Sequence, residues 1–218
     1  MDGESFVREL KAASEQYLSK LDAEPLLDAR AGTTANVIAL LKLALKNEIE
    51  AAVIACEWVP TTPELEAALT LARHAGDEAR HFELLAERLR VLGADLSGSD
   101  PLTPPSPVLQ YLRTLGTSVE RIAAALVARE AMGERRNAQF VKFLEAVGQS
   151  ELAALYRDII NPDEERHHAA GCAVLARLAT TSETQNAARR AALRLLEIGD
   201  QVRSNLLEKT GAPVVPGC

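Results

Sequence analysis

An all-α fold is predicted by three observations. Apolar residues recur with helical period along almost all of the 218 residues, and β-branched runs are short. Pro and Gly gather at a few points that part these amphipathic stretches. The chain also repeats itself: Asp77-Glu78-Ala79-Arg80-His81 returns as Asp163-Glu164-Glu165-Arg166-His167, an offset of 163 − 77 = 86 residues. Each copy falls in the second helix of a pair, so a duplicated helical hairpin is expected. Two hairpins joined by a long crossover make one class of four-helix bundle. A chain of this length makes a single domain, 1–218, with a core bundle over about 35–178.

The elements follow in order. A terminal helix near 4–21 starts from the acidic Met1-Asp2-Gly3-Glu4. Ala31-Gly32-Thr33-Thr34 precedes a helix over 35–58, and the cluster from Pro60 to Pro63 separates it from a helix over 63–93. Pro101, Pro104, Pro105 and Pro107 then mark an extended segment from Gly93. Its ~14 residues reach ~45 Å at ~3.3 Å each, enough to cross the bundle. Helices over 107–147, with a break near Gly116, and over 150–178, with a kink at Pro162, form the second pair. A last helix over 183–209 follows Thr180 to Ser182.

Composition excludes several classes. With 24 Lys and Arg against 31 Asp and Glu the net charge is −7, and only one Trp, three Tyr and four Phe are present. Neither a basic stripe nor stacking platforms for nucleic acid are therefore expected. Cys56, Cys172 and Cys218 are too few and too scattered for a disulfide framework or thiolate zinc site. The first two read as small core residues and the third as a tail thiol. Lys42 and Lys46 interrupt the apolar stretch around Val37 to Leu45, well short of the ~20 residues of a membrane span. The acidic start is unlike a secretory signal, so a cytoplasmic protein is expected.

Helical phase, at about 100° per residue, locates the chemistry. Leu41, Leu45, Ala52, Ala55 and Val59 share a face with Glu48, whereas Lys42, Lys46, Glu50 and Glu57 lie opposite. Leu71, Phe82, Leu85 and Leu89 surround Glu78 and His81, and Arg73, Arg80 and Glu87 point away. Glu130 shares its face with Ala123, Leu126, Val127, Val141 and Leu144, opposite Arg121, Arg135, Gln139 and Lys142. Glu164 and His167 share theirs with Ala153, Ile160, Gly171, Leu175 and Leu178. Each of four helices thus aims a carboxylate at the core, and two add an imidazole. Burying one unpaired carboxylate costs several kcal/mol, and four repel one another. Two divalent cations would neutralise them, with the imidazoles as neutral nitrogen ligands.

Competing roles exist at several positions. Glu134 lies one turn beyond Glu130 and is 164 − 134 = 30 residues from Glu164, so it is an additional or alternative ligand. Asn161, Pro162 and Glu164 also read as N-cap, first-turn Pro and capping-box residue of a new helix. Glu78 has no such cap signal, and the repeat favours a ligand role for Glu164. Asp77 and Asp163 are placed either to hold the far nitrogen of a ligating His or to pair locally with Arg80 and Arg166. His74 and His168 read as core or rim histidines. Ala52, Ala55 and Gly133 leave small volumes for a pocket or allow close helix packing.

Glu followed about thirty residues later by Asp-Glu-x-Arg-His occurs twice, with separations of 78 − 48 = 30 and 164 − 130 = 34. In this the chain resembles the ferritin-like di-iron carboxylate superfamily over roughly residues 35–178. One Glu from each of two helices and Glu-x-x-His from each of the other two is that superfamily's arrangement. The pattern resembles that of its oxygen-activating branch, which includes hydroxylase subunits of bacterial multicomponent monooxygenases. The stretches Asp77 to Gly93 and Leu152 to His167 are more loosely similar to di-iron tRNA hydroxylases, although the acidic charge suits a polyanion poorly.

The resemblance implies that Glu48, Glu78, His81, Glu130, Glu164 and His167 hold two Fe ions, or Mn, with Glu78 and Glu164 bridging. It implies an oxygenase or hydroxylase that activates O₂ to oxidise a small molecule. No Cys-x-x-Cys and no dinucleotide-binding glycine fingerprint occur, so electrons are expected from a separate reductase or ferredoxin. The alternative is a ferroxidase, iron-handling or peroxide-scavenging protein, and the bland reading is a metal-free helical interaction protein. A homodimer is compatible with either metal-bound reading.

Overall fold

The structure, a computed structural model, describes residues 1–22, 33–98, 100–210 and 216. Every regular element among them is helical. Helix α1 is Gly3–Asp22, α2 is Thr34–Trp58 and α3 is Leu65–Val91, with a 3₁₀ turn at Val59–Thr61 between the last two. Helix α4 is Pro107–Leu112. Helix α5 runs without interruption over 118–146 and α6 over 150–178, and α7 is Ser182–Thr210. No helix among the described residues is long and apolar enough to cross a membrane. Cys218 lies outside the described residues, as do Ala31 and Gly32 of the expected turn at Ala31 to Thr34.

Local chemistry sets the boundaries. Thr33 Oγ1 accepts from the Asn36 N–H at 3.3 Å and starts α2. Ser106 accepts from the Leu109 N–H at 3.0 Å, with Pro107 in the first turn of α4. Thr117 and Glu120 form a reciprocal capping box at the start of α5, so the break expected near Gly116 separates α4 from α5. Gly93 and Gly148 take positive φ, 82° and 76°, and close α3 and α5 with backbone bonds from Ala94 to Leu89 and from Gln149 to Leu144.

Helix α2 packs along α3, α5 packs along α6, and α3 meets α6. The terminal helices cover this arrangement: α1 lies on α5, α6 and α7, while α7 lies on α4 and α5. The connection after α3 runs over the outside of α2. There Lys42 donates to the Asp95 carbonyl, and Lys46 to those of Pro101 at 2.7 Å and Pro104 at 2.8 Å. Glu50 accepts from the Ser106 N–H at 2.9 Å and from its hydroxyl.

These coverings correct the helical-wheel reading of the outer faces. Glu50, Arg121 and Gln139 are buried instead of solvated. Arg121 donates to the carbonyls of Leu115 and Thr61, and Gln139 to that of Leu21. Cys56, expected in the core, is exposed, because α2 turns that side outward near its end.

Two departures from regular α-helix fall in the second hairpin. Backbone bonds widen to π spacing over Ile122–Arg129 in α5 and over Tyr156–Ile160 in α6. The Asn161 N–H reaches back five residues to the Tyr156 carbonyl. Pro162 has no N–H to give the preceding turn, and the wide turn just before it takes the place of a sharp kink. Asn161 is itself helical, with φ −59° and ψ −41°. It is therefore not an N-cap, and the capping-box reading of Glu164 falls away.

The apolar core is divided along the bundle axis. One cluster holds Ile54, Trp58, Leu71, Leu126, Leu175 and residues of α1 and α7. The other holds Leu41, Leu45, Leu85, Phe140, Leu144 and Tyr156. On α2, α3 and α6 the residues between these clusters include Glu48, Glu78, His81, Glu164 and His167, while Glu130 of α5 lies at the edge of the first cluster, between Ala128 and Met132.

Candidate metal centre

Helix α2 contributes Glu48, α3 contributes His74, Glu78 and His81, α5 contributes Glu130, and α6 contributes Glu164 and His167. All four carboxylates are 0% exposed, and the three rings are buried with them. Their ligand atoms form two groups, His74, Glu78, Glu130 and His167 in one and Glu48, Glu78, His81 and Glu164 in the other. Within each group the atoms lie within 4.8 Å of one another. Glu78 belongs to both. The six residues expected from the sequence are thus brought to one place.

In the first group His167 Nδ1 lies 3.2 Å from Glu78 Oε1 and 3.7 Å from Glu130 Oε2. His74 Nε2 lies 3.1 Å from Glu130 Oε1 and 3.2 Å from Glu78 Oε1. In the second, His81 Nδ1 is 3.6 Å from both Glu48 Oε2 and Glu78 Oε2, and 3.9 Å from Glu164 Oε1.

The far nitrogens are held crosswise. His81 Nε2 donates to Asp163 Oδ2 at 3.0 Å, and His167 Nε2 donates to Asp77 Oδ2 at 3.0 Å. Each copy of the repeat therefore supplies the carboxylate that orients the other copy's ring, leaving both Nδ1 atoms turned to the glutamates. Asp163 also pairs with Arg80 and Arg166, so both roles weighed for it are fulfilled together.

Electrostatics follow from this crowding. Burial, with the neighbouring Glu78 charge, pushes the Glu48 carboxyl up to about 8. Burial and the charges of Glu130 and Glu78 hold Glu164 well above the usual carboxylate range. Burial opposes protonation of the rings, but the facing carboxylates of Glu48 and Glu78 lift His81 to about 10. Glu130 and Glu78 likewise lift His167 to about 11. Against burial, His74, His167 and His81 keep Glu78 below the usual range. Without metal, protons carried by the rings and by part of the carboxyls balance the charge.

The donor set fits a pair of divalent cations. Both oxygens of Glu48 and of Glu78, and the Nδ1 atoms of His81 and His167, are buried with no hydrogen-bond partner. Such atoms are costly unless something binds them. Two clusters of carboxylate oxygen and imidazole nitrogen sharing one glutamate can each hold a metal ion.

Other residues take other places. Glu134 accepts from His168 Nδ1 at 2.9 Å, and neither belongs to the two groups. His74 is the member that sequence reasoning set aside. Its signal was present, since 78 − 74 = 4 places it one turn before Glu78 on the same face. A cavity of about 140 Å³ reaches the centre from this side, lined by His74, His167, Asp77, Thr70, Leu126 and Ala170 among others. No family model, curated protein or solved structure matches the chain.

Proposed function

We propose that the chain is a ferritin-like di-iron carboxylate oxidoreductase that activates O₂ to oxidise a small molecule. The observation that carries this reading is the joining of two buried Glu and His clusters through Glu78, in a layer between two apolar clusters. Glu48, His81 and Glu164 would hold one ion, Glu130, His167 and His74 the other, and Glu78 would serve both. A bound ferrous pair supplies the electrons for reducing O₂.

The chain's own groups set the conditions. Asp163 and Asp77 orient His81 and His167 and fix the nitrogen each presents. Apolar residues on either side exclude bulk water. The rings release their protons when cations arrive, so metal uptake is proton-coupled. Continued turnover draws electrons from a separate reductase or ferredoxin, and the isolated chain does not oxidise NAD(P)H catalytically.

Anaerobic Fe(II) titration of metal-free protein tests the reading. Two equivalents bound per chain, and a ferric absorbance after admitting air, are expected. Protein grown with both iron and manganese that carries neither stoichiometrically would overturn it.

The size of the cavity beside His74 favours a second reading, a ferroxidase or peroxide scavenger. At about 140 Å³ it suits O₂ or peroxide better than a bulky organic substrate. A large hollow assembly on size-exclusion chromatography, or rapid peroxide consumption by the ferrous protein, would select it.

A further inference from the structure

The two metal positions differ by an imidazole in place of a carboxylate. His74, His167, Glu78 and Glu130 surround one, and Glu48, His81, Glu78 and Glu164 the other. The 86-residue repeat pairs Glu78 with Glu164 and His81 with His167. It pairs His74 with Ile160, since 160 − 74 = 86, and Ile160 is a fully buried apolar residue. The duplication thus supplies one imidazole to each position, and His74, which has no counterpart in the other copy, adds a second to one of them.

His74 is not a bystander. It is 2% exposed, its Nε2 points at Glu130 and Glu78, and its ring stands edge-on to that of His167 at 4.7 Å. Those two glutamates are the ones His167 also faces. Asp77 and Asp163 engage the other two rings, whereas His74 Nδ1 is buried with no hydrogen-bond partner. The cluster it faces is what orders this ring.

We infer that His74 is a third imidazole ligand and that it makes the centre discriminate between metals. One position then offers two nitrogens with two carboxylates, the other one nitrogen with three carboxylates. Fe(II) stands above Mn(II) in intrinsic affinity, imidazole favours iron, and carboxylate-rich surroundings suit manganese. Fe(II) therefore holds the His74 position, and Mn(II) competes effectively only at the Glu48 position. This rests on the dinuclear reading above.

The experiment is competition. Metal-free protein is incubated anaerobically with equal excesses of Fe(II) and Mn(II), free ions are removed, and bound metals are counted by elemental analysis and examined by electron paramagnetic resonance. Wild type is expected to carry two ions per chain, one of each, with no signal from coupled manganese pairs. In His74→Gln the iron share at that position falls at least about tenfold, and manganese pairs appear. Glu48→Gln, which weakens the other position, retains a single ion that is iron. The inference is overturned if His74→Gln takes up the two metals in the wild-type ratio, if wild type contains manganese pairs, or if the ion kept by Glu48→Gln is manganese. Should His74→Gln lose its helical circular dichroism, the Glu48→Gln result decides alone. Wild type that binds fewer than two ions would instead defeat the dinuclear reading.

Discussion

The two hairpins carry equivalent candidate ligands on different backbones. Helices α2 and α3 are regular through Glu48, Glu78 and His81, whereas α5 and α6 each widen to π spacing ahead of Glu130 and Glu164. A π turn has poor intrinsic stability and persists where surrounding packing holds it. All eight residues of Ile122–Arg129 are buried, with α6 and α7 against them. The first hairpin therefore places its ligands through helix geometry, and the second through tertiary packing. Similar donors at the ends of two such routes show that what the duplication preserves is the ligand set, not the helix that presents it.

The strongest way to break the comparison is to remove the residue both positions share. Glu78→Ala is expected to abolish binding of both ions, while Glu48→Ala or Glu130→Ala each leaves one position. Anaerobic Fe(II) titration distinguishes them, and a di-iron absorbance surviving in Glu78→Ala would contradict the assignment of Glu78.

The orienting carboxylates sharpen it next. Asp163 lies in the second hairpin but holds His81 of the first, and Asp77 does the reverse. Loss of such a partner costs about 10–100-fold in metal affinity. Asp163→Ala is expected at the upper end, because its side chain is 5% exposed and braced by Arg80 and Arg166, whereas that of Asp77 is 34% exposed. Chelator competition measures both, and the greater loss should fall on the position opposite the mutated hairpin.

Helical phase made much of this legible. The inward direction of Glu48, Glu78 and His81 needed only a regular helix and an apolar stripe, and that of Glu164 and His167 is given by Gly171 and Leu175, which follow them beyond the π stretch. The choice between Glu130 and Glu134 did not yield to it, because a constant angle per residue fails across a π stretch that periodicity does not announce. His74 was visible one turn before Glu78, but only Glu130, arriving from another helix, separates a ligand from a core histidine. Glu50 shows the same limit on an outer face, where the wheel places it opposite the core and the crossover then covers it.

Both hairpins agree in one respect, that without metal their rings hold protons. His81 at about 10, His167 at about 11 and Glu48 at about 8 all lie above unfolded-chain values of about 6.5 for imidazole and 4.3 for Glu. The folded chain binds protons that the unfolded chain has lost, so this contribution to stability is complete below those lower values. It is lost as pH rises through about 8, 10 and 11. Metal binding displaces the same protons, strengthening about tenfold per pH unit for each proton released. Melting of the metal-free protein should therefore move down between about pH 7 and 10, and the gap to the metal-loaded protein should widen. A metal-free melting temperature that stays constant over that range would show the rings to be neutral.

The smallest effect isolates the packing that the second hairpin depends on. Gly171 of α6 faces the π stretch of α5 so closely that a Cβ there would lie 2.5 Å from Leu126 Cβ and 2.8 Å from its carbonyl oxygen. The repeat places Leu85 at the equivalent point of α3, since 171 − 86 = 85, so the first hairpin has no such approach. Helix α3 has its own glycine at Gly76, where a Cβ would meet nothing within 4 Å. One substitution therefore has opposite signs in the two hairpins. Gly76→Ala stabilises by about 0.4–1 kcal/mol, by restricting the unfolded chain without a clash. Gly171→Ala costs about 1–3 kcal/mol, because the neighbour it meets includes backbone, and α5 and α6 must part. The parting also shifts Glu130 against Glu164, so Gly171→Ala should weaken metal binding while Gly76→Ala leaves it intact. Urea denaturation with chelator competition on the two variants reads both consequences. Equal responses would mean that the second hairpin holds its ligands as the first does, without help from the close contact at Leu126.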